Sequence, residues 1–123
     1  MKISEAIEYF DALCVNRVDP AVKVKWLSEC DTRLNNEVLL THEGCGRKCF
    51  HGYAPDADLD TELLVGEPYT DIYYHWLRMK NADLNQELEI YNEATQKYYE
   101  YMNGWADWVN RNRMPKATYL RLW

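Results

Sequence analysis

His42, Cys45, Cys49 and His51 lie close together in the chain, and two thiolates with two imidazoles are a donor set able to close a tetrahedral zinc site. Here the histidines flank the cysteines instead of forming the separate downstream pair of the common zinc modules. Free thiols in a solvated loop, with no metal and no cofactor, are therefore the expected state. Asp56, Asp58, Asp60, Glu62 and Glu67 fall at the first, third, fifth, seventh and twelfth places of a calcium-loop pattern. Thr61 stands where the sharp turn requires glycine, Tyr53-Ala54-Pro55 supplies no entering helix, and Pro68 blocks immediate helix continuation. An acidic, solvated loop is the simpler reading. Arg111, Arg113, Lys116 and Arg121 make a basic C-terminal stretch with no acid among them; it suits phosphate or, more simply, the negative end of a helix. His75, between Tyr74 and Trp76, reads as a packing or surface residue and not as a base. No phosphate-binding glycine loop, nucleophile elbow or metalloprotease helix is present, so the chain is not expected to be an enzyme and no catalytic residue is nominated.

These residues must be placed by one domain, the default for 123 residues. A hydrophobic fraction of 47% argues against disorder, and the lack of any apolar run near about 20 residues predicts no membrane partner. The formal charge of −6 disfavours attraction to phosphate backbones, so no sequence-specific nucleic-acid partner is expected. The opening Met1-Lys2-Ile3-Ser4-Glu5 lacks the pattern of a secretory signal, which with four cysteines predicts a reducing compartment. Ten Tyr and five Trp against two Phe point to protein recognition, because Tyr and Trp are enriched at interfaces.

Hydrophobic periodicity predicts an all-α fold: two shorter N-terminal helices packed on a long C-terminal helix. Ile3, Ala6, Ile7, Phe10, Leu13 and Cys14 share one face of the first, with Ser4 as the expected N-cap. Asp19-Pro20 opens the second, which runs to about Leu40 with Trp26, Leu27, Cys30, Leu34 and Val38 inward and Lys25, Glu29, Arg33 and Glu37 outward. Residues 41–68 form a long irregular loop in which Cys49–Tyr53 and Thr61–Val65 are able to pair as a small hairpin. From Leu77 through Asn81, Leu84, Leu88, Tyr91, Thr95, Tyr98, Met102 and Trp105 to Val109 the apolar positions step by four and three. One helix from Thr70 to Arg111 fits best. The competing reading is a turn near Asn81–Asn85, with Asp83 and Gln86 as a capping box. The single helical domain then covers 1–116, and 117–123 is a C-terminal tail.

An unbroken long helix carries a second stripe, Ile72, Trp76, Met79, Ile90, Ala94, Tyr101 and Trp108, about a quarter-turn from the first. At ~60 Å such a helix is too long for the two shorter ones to cover. Trp76, Tyr101 and Trp108 are therefore the expected protein-interface residues, unless the helix breaks and folds back.

Several segments add a setting: Lys25-Trp26-Leu27-Ser28-Glu29 with Asp31 and Arg33, Thr41-His42-Glu43-Gly44, Gly52-Tyr53, and Asp58-Leu59-Asp60-Thr61-Glu62-Leu63-Leu64-Val65. Pro68-Tyr69 with Asp71 and Tyr73, Tyr91-Asn92, and Asn110-Arg111 with Met114-Pro115 complete the set. Together they resemble the head-tail connector adaptors, or head completion proteins, of tailed phages and prophages of Gram-positive bacteria. The resemblance covers most of the chain; Cys45, Cys49 and the residues after Lys116 fall outside it. It implies a helical virion subunit that forms a ring-like homo-oligomer between the portal and the tail-completion proteins. Its location would be the virion, or the bacterial cytoplasm when expressed from a prophage. The alternative expectation is a small soluble protein-binding or regulatory module, metal-binding through the 42–51 loop.

Overall fold

The first helix is capped by a distant segment of the chain together with its own Glu5. The structure, a computed structural model, describes residues 1–39, 52–54 and 58–112. The first helix, α1, spans Ile3–Leu13 with Lys2 at its N-cap, displacing the expected Ser4 into the first turn. The amides of Ile3 and Ser4 donate to the carbonyls of Thr61 and Leu59, both at 3.0 Å, and Glu5 accepts from the Lys2 amide at 3.1 Å. Two of the helix's orphan donors thus find backbone acceptors, which is why a residue with no capping oxygen is tolerated at Lys2.

That contact also revises the hairpin. Residues 61–63 bond to the N-terminus, with an isolated antiparallel bridge between Lys2 and Glu62 and the Leu63 amide donating to the Met1 carbonyl at 2.9 Å. Residues 49–51 of the expected partner strand lie outside the described residues. Leu63 and Val65 are buried in the core, so the loop is not solvated throughout.

The second helix, α2, spans Pro20–Glu37 with Asp19 at the N-cap and Pro20 at the first position, as the sequence predicts. Val24, Leu27, Cys30, Leu34 and Val38 are buried, while Trp26 is only partly so. Of the outward charges, Arg33 pairs with Glu37 at 3.2 Å, and Glu29 reaches across to Lys80 at 3.2 Å.

The long C-terminal helix is broken. It divides into α3, Asp71–Leu84, and α4, Leu88–Asn112. Asn85 ends α3, and Gln86 takes a left-handed φ of 58°. The Glu87 amide donates to the Ala82 carbonyl at 2.9 Å and the Gln86 amide to the Asp83 carbonyl at 3.2 Å. This is the paired-bond C-terminal motif that glycine usually completes. Gln86 therefore closes α3, and no Asp83–Gln86 capping box opens α4. Glycine takes this backbone region without the steric penalty of a Cβ. Gln86→Gly is thus expected to raise stability by about 0.5–1 kcal/mol, read as a higher denaturant midpoint at unchanged slope.

The turn folds α4 back along α3. Arg78 pairs with Glu93 at 3.5 Å, Trp76 meets Tyr98, His75 meets Tyr101, and Tyr69 meets Trp108; partners advance in opposite directions, so the two helices are antiparallel. Ile72, Tyr73, Trp76, Leu77 and Met79 of α3 and Ala94, Tyr98, Trp105 and Val109 of α4 are buried with the apolar faces of α1 and α2 in one core. The fold is an all-α bundle. No described helix is long and apolar enough to cross a membrane.

Candidate functional site

Asp31 sits on α2 four residues after Leu27 and three before Leu34, on the inward face, and is wholly buried. A carboxylate there must be supplied with donors. The Tyr53 hydroxyl donates to its Oδ2 at 2.5 Å, the Leu64 amide to the same oxygen at 3.1 Å, and the Tyr73 hydroxyl to Oδ1 at 2.6 Å. The Tyr73 oxygen in turn accepts from the Val65 amide at 2.8 Å. One turn earlier, the Ser28 hydroxyl accepts from the Tyr53 amide at 2.8 Å. Gly52, at φ +88°, is pressed so close to α2 that an added Cβ would fall 1.7 Å from the Ser28 Oγ. Residues 52–53 and 64–65 are thereby fastened to α2 and α3. Ser28, Asp31, Gly52, Tyr53, Leu64, Val65 and Tyr73 lie far apart in the sequence, and the fold brings them to one place.

This hub is scaffold in its chemistry. Burial first, and then the negative charge of Asp31, push the Tyr73 phenol well above its ordinary value, and the same two causes raise the adjacent Cys30 thiol. Neither is a nucleophile or an acid near neutral pH. The Tyr98 phenol is likewise raised, chiefly by burial.

A second feature faces outward. Tyr9 of α1 meets Tyr74 of α3 edge-on at 5.4 Å between ring centroids, Tyr74 meets His75 at 5.1 Å, and His75 stacks on Tyr101 of α4 at 5.0 Å with the planes 20° apart. Tyr9 is 43% exposed and Tyr101 37%. Toward the end of α4, Trp108, 40% exposed, meets Tyr69 at 6.1 Å. The result is a run of four touching rings across three helices, exposed at its Tyr9 and Tyr101 ends and more buried between them, with the separate Tyr69–Trp108 pair beyond it. Rings held in this way offer large contact area with little side-chain entropy left to lose.

Of the three interface residues expected from sequence, Tyr101 and Trp108 lie on this outward side. Trp76 does not: it is 5% exposed, donates its indole N–H to the Trp26 carbonyl at 2.7 Å, and lies under the Lys80 ammonium at 4.9 Å. The broken helix turns the inner half of the supposed second stripe, Ile72, Trp76, Met79 and Ala94, into core. The sequence alone does not single out Tyr9 and Tyr74, although Tyr9 falls beside the buried face of α1, where a tyrosine at the edge of an apolar stripe is a readable sign of a wet boundary.

His75 is held below its ordinary value of 6.5 by burial, with Arg78 and Lys97 adding to the effect and Asp71 and Glu100 opposing it. Its Nδ1 is buried without a hydrogen-bond partner among the described residues. The folded state therefore binds this proton less readily than the unfolded chain. The His75 contribution to stability is present above pH of about 6.5 and is lost as pH falls through that value toward the lowered folded one. His75→Phe, which keeps a ring on Tyr101, is expected to flatten the fall in melting temperature between neutral pH and the acid side of the histidine range. An unchanged slope would show that His75 does not titrate in this way.

The metal candidates His42, Cys45, Cys49 and His51 lie outside the described residues, as do Arg113, Lys116 and Arg121. Among the described residues no group of His, Cys, Asp or Glu is placed to hold a metal ion. Of the calcium-pattern residues, Asp58 accepts from the Asp60 amide at 2.9 Å and Glu62 pairs with the Met1 ammonium at 3.2 Å; Asp56 is outside the described residues. Comparison with protein families, with characterised proteins and with solved structures finds no match for this chain.

Proposed function

We propose that the protein is a structural adaptor subunit of a phage or prophage head-tail connector, acting by self-association and protein docking. The observation that carries this reading is the ring ladder Tyr9–Tyr74–His75–Tyr101 with Tyr69–Trp108 beyond it. Aromatic rings partly exposed and braced from beneath form the kind of anchor that protein interfaces use at their centres. In this role the subunit sits as a ring between the portal and the tail-completion proteins.

The test is electron microscopy of DNA-filled heads, from the genome that encodes the chain, incubated with the purified protein. Ring-shaped density at the portal vertex is expected. A chain carrying Tyr101→Ser and Trp108→Ser should keep its helix content and yet leave vertices unoccupied. Bare vertices with the unaltered chain would sink the adaptor reading.

A further inference from the structure

The end of the bundle at the α3–α4 turn is open and apolar. Leu84 is 62% exposed and Leu88 70%, against the rule that leucines spaced like these belong in a seam. Beside them Ala82, Asp83, Gln86, Glu87, Leu88 and Tyr91 line a shallow cleft of about 360 Å³. Leu13 and Val15, 56% and 98% exposed, lie at the same end, since Asn81 Nδ2 approaches Cys14 Sγ at 3.7 Å. The charges at the cleft are the carboxylates of Asp83 and Glu87, and neither is in an ion pair among the described residues.

One segment of the chain has the opposite character. Residues 113–123 carry Arg113, Lys116 and Arg121 with no acid, interleaved with Met114, Tyr119, Leu120, Leu122 and Trp123. The segment follows the far end of α4. From Leu88 to Asn112 the helix rises about 36 Å, and a fully extended chain gains at most ~3.5 Å per residue. Tyr119 therefore reaches only about 25 Å beyond Asn112, so these residues cannot seat themselves together in the cleft of their own subunit.

We propose that residues 113–123 of one copy dock in the turn-end cleft of a neighbouring copy, cations against Asp83 and Glu87 and apolar side chains on Leu84 and Leu88. The inference deepens the adaptor reading by naming a contact through which its copies join. Such a contact uses two different surfaces, so it is head-to-tail: repeated with a closing rotation it makes a ring, and without one a filament.

The experiment measures self-association of the full chain by sedimentation equilibrium. Asp83→Lys with Glu87→Lys reverses the cleft; Arg113→Glu with Lys116→Glu and Arg121→Glu reverses the tail. Each reversal is expected to weaken association by about tenfold or more, and added salt should weaken the unaltered chain. The chain carrying both reversals should recover, and so should an equal mixture of the two singly reversed chains, because complementary surfaces are again present. Circular dichroism checks each fold; if the cleft variant misfolds, the tail variant and its salt dependence decide alone. Association untouched by the tail reversal, or no recovery in the doubly reversed folded chain, overturns the docking while leaving the adaptor reading standing. The remaining outcome is an unaltered chain that stays monomeric at every concentration. That outcome overturns the proposal too, and the portal-vertex assay still decides the adaptor reading separately.

Discussion

Replacing Asp31 with alanine is expected to lower stability by about 3–5 kcal/mol. The carboxylate accepts from the Tyr53 and Tyr73 hydroxyls and the Leu64 amide, and it is wholly buried. Truncation leaves all three donors without this acceptor, the Tyr73 hydroxyl in the buried interior and the Tyr53 hydroxyl and Leu64 amide half-buried, and a stranded buried donor costs more than a made bond contributes. The partners should grade by what they leave behind. Tyr53→Phe removes one bond and should cost about 1 kcal/mol. Tyr73→Phe also orphans the Val65 amide and should cost about 2–3 kcal/mol. Urea unfolding of the three variants measures this, and the Asp31/Tyr73 double variant should cost well below the sum. If Asp31→Ala stays within about 1 kcal/mol of the unaltered chain, the hub is not a fastening.

Trp76→Ser should be comparably damaging, at about 3–5 kcal/mol, whereas Trp108→Ser should stay within about 1 kcal/mol. Trp76 is 5% exposed and Trp108 40%. Removing the Trp76 indole opens a cavity against Tyr98, whose ring lies 5.1 Å away, removes the side-chain donor that ties α3 to the Trp26 carbonyl of α2, and takes away the ring face beneath the Lys80 ammonium. Thermal unfolding of the two variants side by side measures the contrast. Equal loss in both would mean that Trp108 is also structural and that the outward ladder ends at Tyr101.

The contrast between these tryptophans also shows what sequence alone reveals here. The inward faces of α1 and α2 are legible because Ile3, Ala6, Ile7 and Phe10, and then Leu27, Cys30 and Leu34, repeat at helical spacing and are all buried. The break before α4 is hidden for a definite reason. Leu77, Asn81, Leu84, Leu88 and Tyr91 keep their four-and-three steps straight through the turn, neither glycine nor proline marks it, and Gln86 occupies the left-handed position unannounced. Leu84 and Leu88 extend the pattern while lying outside the core. Asp31 is readable in part, since an acid at the 27-31-34 face of an amphipathic helix requires partners. Those partners, Tyr53, Leu64 and Tyr73, are tens of residues away, and no local periodicity predicts a meeting set by tertiary packing. The same holds for the cap that residues 59–61 give to α1.

The tight α3–α4 turn also sets an order of assembly. Helices joined by so short a connection meet at little loop-closure entropy, while the bond from Tyr73 to Asp31 spans 42 positions and that from Leu64 spans 33, closures whose entropy grows with the logarithm of length. Local contacts tend to form early and distant ones late. The hairpin of α3 and α4 is then the nucleus on which α2 and its loop close. The instability of Asp31→Ala should accordingly fall on the unfolding rate, with folding nearly unslowed, so that the hub acts as the latch that sets how long a folded subunit stays folded.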